Sequence, residues 1–186
     1  MRENSIFGLL CFSILIGGLN SLTVSMTTIT VIGSNGKTGR KVVSLALKKG
    51  YKVNAICRGI LTLDDNLSAN NNKLKVINYD IKDLISSVSL SKVFRESKAV
   101  IFAASTSKLG GTPDQIDRDG VINVAKICIE NQVPRLVIVS SGAVTKPFSP
   151  VYLFLNLFGG IMKAKIEGEN SVRKLYLNLP EKNQIG

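Results

Sequence analysis

Seven residues, Gly33-Ser34-Asn35-Gly36-Lys37-Thr38-Gly39, carry the densest chemical signal in the chain. They follow the apolar run 29–32 and open a helical pattern, a strand–turn–helix frame. In that frame Gly33 permits a sharp exit from the strand. Gly36 lets backbone approach a pyrophosphate, and Gly39 lets the helix pack closely on the sheet. The helix N-terminus adds unpaired N–H groups and partial positive charge for an anion. Lys37-Thr38 after Gly36 imitates a nucleoside-triphosphate loop. That loop requires G-x-x-x-x-G-K-[ST], however, and position 31 is Val. All seven residues are therefore candidate contacts of a dinucleotide; a plain tight turn is the bland alternative.

The second strand ends in Cys57-Arg58, and no acid follows until Asp64. NAD-selective sites place Asp or Glu there to bond the ribose 2′-hydroxyl. A guanidinium suits a 2′-phosphate instead, so Arg58 favours NADP over NAD, with Arg40 adding charge. An ordinary exposed arginine is the competing reading. The chain has no histidine, which excludes His-based triads and His-containing metal sites. Cys57 and Cys128 lack zinc-ligand spacing, so no metal is expected.

These residues need elements to hold them. Residues 38–49 place Val42, Val43, Ala46 and Leu47 on one face with Lys41, Ser44 and Lys48 opposite, and Gly50 stands where a helix ends. "KVNAIC", "LKVIN", "AVIFAA" and "RLVIVSS" read as strands two to five. Residues 83–95 and "DQIDRDGVINVAKICIEN" read as helices between them. After the fifth strand comes a helical stretch interrupted by Gly159-Gly160. Such alternation predicts an α/β fold, a doubly wound parallel sheet in the order 3-2-1-4-5, with ligands at its carboxyl edge. A sixth strand and a substrate-covering segment would have to follow; the sheet reads as C-terminally truncated.

At 186 residues with 45% hydrophobic content, the chain is long enough for one real core. Its +11 charge suits an anionic partner. Yet the lysines are spread out and tryptophan is absent, which argues against nucleic acid. Residues 1–25 stand apart: Arg2 precedes an apolar run over 6–19, the length of a signal h-region and too short to span a bilayer. They read as a leader, and 26–186 as the folded domain. Cys11 falls in the leader and the other two cysteines in core-like segments, so no disulfide framework exists and a reducing compartment is expected. A leader feeding import into a plastid reconciles these facts; a cytosolic product starting at Met26 is the alternative. The sequon Asn66-Leu67-Ser68 is short enough to arise by chance.

"VIGSNGKTGRKVV", Arg58, "NYDIKD" and "VIVSSGAVTKP" together resemble the atypical short-chain dehydrogenase/reductases, nearest to the NmrA-like and plastid NAD(P)-binding branch. The resemblance covers residues 28–173. It implies that Asp80 and Ile81 flank the adenine and that Ala103, Ala104 and Ser105 lie beside the nicotinamide-side ribose. It implies that Ser140 and Ser141 end the fifth strand at the site, with Ser141 the candidate catalytic serine. Orthodox members pair that serine with Tyr-x-x-x-Lys. Here Tyr152 is followed four residues later by Asn156, and Lys165 has Ile161 at the tyrosine position. Lys165 is either a ribose contact with a catalytic role or a surface lysine on an amphipathic helix, with Lys163 a weaker candidate. Two functions follow: an NADP-dependent oxidoreductase acting on an unknown small molecule, or a non-catalytic NADP-sensing module with a protein partner.

Overall fold

The computed structural model describes residues 27–63, 72–83, 88–107, 110–157 and 159–180. The leader, Met26, the sequon at Asn66 and residues 181–186 lie outside them. Five parallel strands, β1 (Thr28–Ile32), β2 (Lys52–Cys57), β3 (Leu74–Asn78), β4 (Ala99–Phe102) and β5 (Leu136–Ile138), form one sheet in the order β3-β2-β1-β4-β5. The order and direction match the sequence expectation. The last two strands are shorter than their apolar runs: β4 stops at Phe102 and β5 at Ile138.

Strand side chains alternate between two cores. Ile29 and Val31 point at α1 (Lys37–Lys48) and pack with Val43, Ala46 and Leu47. Ile32 and Phe102 face the other way, toward α2 (Val88–Arg95), α3 (Val121–Glu130) and α5 (Ile161–Leu177). This period-2 switch lets a central strand be apolar throughout, because both faces are covered. Thr30, also buried, is satisfied by Ser97 at 2.7 Å and Asn54 at 3.3 Å.

Helix ends follow the expected chemistry. Gly50 takes φ +87°, its N–H reaches Leu47 O, and the Tyr51 N–H reaches Ala46 O, a Schellman closure of α1. Gly159 and Gly160 take φ +76° and +77° and separate α4 (Pro150–Asn156) from α5. The stretch expected as one helix from 114 begins instead as a π-helical turn, Asp114–Gly120, before α3.

Cys128 is fully buried, and burial pushes its thiol up to about 12. Tyr176 also rises to about 12, through burial and then the neighbouring Cys128; its hydroxyl is buried without a hydrogen-bond partner. The unfolded chain deprotonates these groups at ordinary values, so it holds fewer protons than the fold in alkaline solution. Stability is therefore full below about pH 8.5 and falls toward pH 12, with Cys128 alone contributing a slope of about 1.4 kcal/mol per pH unit. Urea midpoints from pH 7 to 11 check this. In Cys128→Ala the decline should start later, where tyrosine ionises.

Candidate functional site

A crevice of about 640 Å³ opens at the carboxyl ends of β1, β2 and β4. Its floor is the glycine turn. Gly33 has φ +75°, and a Cβ there would lie 2.6 Å from the Ala104 backbone. It therefore does more than turn the chain, because it lets β1 and the exit of β4 meet. A Cβ on Gly39 would drive into the Gly33 carbonyl, so the first turn of α1 sits directly on the loop. Gly36 is the N-cap, with no side-chain cap, and Lys37 and Thr38 are exposed on the first turn. The N–H groups of that turn have no intrahelical carbonyl to meet and are available to an anion.

The two polar residues of the turn face inward. Ser34 is fully buried; its hydroxyl and its N–H both donate to the Ile56 carbonyl, each at 3.1 Å. The Asn35 amide donates to Ile60 O at 2.9 Å and accepts from Thr62 N–H at 3.3 Å, tying the turn to the loop after β2. These side chains build the cradle, while the glycines leave its surface to backbone.

One end of the crevice is charged. Arg58 is 43% exposed, and its guanidinium lies 3.8 Å from Asp80. It also fills the space that a Cβ on Gly110 would need. Asp80 in turn holds Lys82 at 3.4 Å and accepts from the Lys82 N–H at 3.1 Å. Ile81 is buried at the wall with Tyr79. Cys57, Arg58, Ile81 and the Asn35 turn thus surround one lobe, and Asp80 braces it from behind.

The other end is lined by Ala103, Ala104 and Ser105, and behind it stands a residue absent from the sequence candidates. Asp117, fully buried, accepts from Ser105 Oγ at 2.7 Å, Thr106 N–H at 2.9 Å and Thr106 Oγ1 at 2.6 Å. The Lys165 ammonium completes the set at 2.8 Å. The π-helical turn aims Asp117 inward. Gly168 brings α5 against it, since a Cβ there would lie 2.6 Å from the Asp117 carbonyl. Lys165 is thus neither a bare surface lysine nor free, but paired beneath the crevice wall. A sequence signal for Asp117 existed: it shares a helical stripe with Val121, Val124 and Cys128, and an acid on an apolar stripe needs a buried partner.

The double serine goes elsewhere. Ser140 Oγ donates to Glu169 at 2.5 Å, and Arg173 braces that carboxylate at 3.4 Å. Both line a separate groove beside β5, about 450 Å³ in volume. Ser141 is half-buried in the turn after it, where its carbonyl accepts from Val144 N–H at 3.1 Å. Neither serine lines the crevice. Tyr152 packs on Ala143, Val144 and Met162 in a cluster of its own. Among the described residues no three His, Cys, Asp or Glu converge as a metal site, and no helix is long and apolar enough to cross a membrane.

A glycine cradle at a helix N-terminus, a charged lobe and a small-residue end fit an extended dinucleotide. The sequence pattern of an NAD(P)H-binding family matches residues 33–178, which spans all of these parts. The chain belongs to that family. It is also 27% identical over 163 residues to the uncharacterized chloroplastic protein At2g34460 of Arabidopsis thaliana, covering 83% of this chain and 57% of that one. The fold matches that of the enzyme WbmG of Bordetella bronchiseptica, solved with NAD, at 20% identity and TM-score 0.61. That match covers 83% of this chain and 51% of the other. It also matches a short-chain dehydrogenase/reductase of Veillonella parvula solved with NADP, at 15% identity and TM-score 0.63, over 80% of this chain and 64% of that one. The NAD(P)H-binding chain therefore spans roughly half to two-thirds of the length of these relatives. Family and fold agree with the resemblance to the atypical short-chain dehydrogenase/reductases.

Proposed function

We propose that this protein is an NADP-dependent oxidoreductase of the atypical short-chain type. The observation that carries the choice of nucleotide is Arg58, a cation at the crevice lobe next to β2 where NAD-selective sites hold an acid. Asp80 keeps the guanidinium over that lobe without neutralising the neighbourhood, because Lys82 shares the same carboxylate. A 2′-phosphate then meets two cations and one acid. The bound cofactor supplies a hydride at its nicotinamide. The chain's own part is to orient that ring against Ala103 and Ala104 and to present proton-bearing groups beside it. Those groups are the Ser105 hydroxyl and, one bond further back through Asp117, the Lys165 ammonium.

Separate titrations with NADPH and NADH, followed by nicotinamide fluorescence, test the reading. NADPH should bind more tightly, and Arg58→Asp should weaken it by about 10–100-fold, the loss of one or two charge-assisted bonds. NADH should be affected little, so the preference reverses. Binding of neither nucleotide ends the proposal.

A specific observation favours a second reading. The tyrosine of a Tyr-x-x-x-Lys pair is missing: Ile161 stands four residues before Lys165, Tyr152 is packed elsewhere, and Tyr79, which lines the crevice, donates its hydroxyl to Asp83 O at 2.8 Å. A non-catalytic NADP-sensing module needs no such acid. Tight NADPH binding without oxidation across a panel of carbonyls, flavins and quinones would select it. A plastid address by way of the leader goes with either reading, supported by the chloroplastic relative and the apolar run over 6–19. Locating a tagged full-length chain checks it.

A further inference from the structure

Between Glu130 and Glu167 the chain contains no acidic residue, only the cations Arg135, Lys146, Lys163 and Lys165. Lys165 is turned inward onto Asp117 and Arg135 lies by the β5 groove, which leaves Lys146 and Lys163 exposed on either side of α4 in the sequence, Lys163 with Glu167 at 3.9 Å. That helix presents the wrong face to water. Phe148 is 91% exposed, Val151 57%, Leu153 55%, Phe154 61% and Leu157 80%. The inner side of α4, Tyr152 and Leu155, is already used against Ala143, Val144 and Met162. Ser149 caps the helix by accepting from the Tyr152 N–H at 3.1 Å, and Pro150 starts it, so the segment is a built element. Five large apolar side chains in ten residues expose on the order of several hundred Å², more than a chain leaves to water without a use for it.

We propose that α4 and the turn before it form an interfacial docking surface for an anionic lipid bilayer. Charge complementarity selects this occupant. An apolar face with Lys146 exposed at one end and Lys163, paired with Glu167 at 3.9 Å, at the other, on a chain of net charge +11, is matched by acyl chains under negative headgroups. An acidic protein partner would instead meet a mostly apolar centre with two cations at the rim, and a second copy would bring like charges together. Phe148 and Phe154 supply the insertion, and Lys146 with the chain's net positive charge the attraction. The surface lies outside the crevice, so it does not depend on which nucleotide binds there.

The chain lacks tryptophan, so Phe148→Trp is a single reporter in the full-length protein. Vesicles of phosphatidylcholine and phosphatidylglycerol in equal parts should shift its emission to the blue. Pure phosphatidylcholine vesicles should do so far less, and salt should weaken the effect. In co-sedimentation without the reporter, Phe154→Ser and Leu157→Ser together should lower the bound fraction about tenfold or more, and Lys146→Glu should lower it further. These positions are solvent-facing, so circular dichroism and NADPH titration should be unchanged. An unshifted emission, or binding that survives the α4 substitutions because another segment carries it, overturns the proposal. Self-association in sedimentation velocity that the same substitutions abolish overturns it too, in favour of a second copy.

Discussion

Gly33→Ala should unfold the site outright, with a stability loss of about 2–5 kcal/mol. Two independent costs meet at this position. The backbone holds φ +75°, a conformation that penalises an L side chain by about 1–2 kcal/mol. The added methyl would also lie 2.6 Å from the Ala104 nitrogen and Cα, and backbone atoms of a paired strand exit cannot swing aside. Overpacking of that kind costs about 1–3 kcal/mol. Relief is possible only if β1 and β4 separate at their carboxyl ends, which opens the crevice floor. Dinucleotide binding should be lost together with stability. Gly36→Ala is the control: its φ is −73°, and its Cβ would meet only the Gly33 carbonyl, at 3.3 Å. That variant should keep most of its urea midpoint and lose affinity selectively. Equal midpoints for the two variants would show that close strand approach is not what Gly33 provides.

Asp117→Ala should be the most damaging single change outside the glycine turn. It removes the acceptor of three hydrogen bonds and the counter-charge of Lys165, whose ammonium is largely buried. Breaking a buried pair from one side costs about 3–5 kcal/mol, because the remaining charge has no compensation. Domains of this size have a total of about 5–15 kcal/mol, so the variant should be at the margin of folding. Lys165→Met alone should cost less, since Ser105 and Thr106 still donate to the carboxylate. Asp117→Asn combined with Lys165→Met should recover part of the loss, because neither buried charge remains. Urea denaturation of Asp117→Asn, Lys165→Met and the double variant against the parent gives the coupling directly. Strict additivity of the two changes would mean that the ion pair is incidental to the fold.

Much of this molecule is legible in its sequence because the relevant physics is local. Residues 29–32 must be a strand covered on both faces, since every position is apolar or β-branched. Gly33, Gly36 and Gly39 then mark a turn at a helix start, and Gly50 its end. Alternation of five such runs with helical patterns leaves few topologies under the right-handed crossover rule, hence the order 3-2-1-4-5. Arg58 could be assigned to the crevice because its place at the end of a strand is fixed by register.

Tertiary structure decided what depends on contacts between distant segments. Ser34 and Asn35 sit in the glycine turn, yet their side chains bond to Ile56 and to the loop at Ile60 and Thr62, which no spacing rule reveals. Ser140 follows a strand that stops early, and its hydroxyl meets Glu169 from a helix 29 residues away, outside the crevice. Lys165 reached the site only through Asp117, and Asp117 only because a π-helical turn and Gly168 bring two helices within backbone contact. Burial of a charge pair is a property of the packed whole. The one-dimensional pattern shows an acid on an apolar stripe, and only the fold supplies the cation that makes it stable.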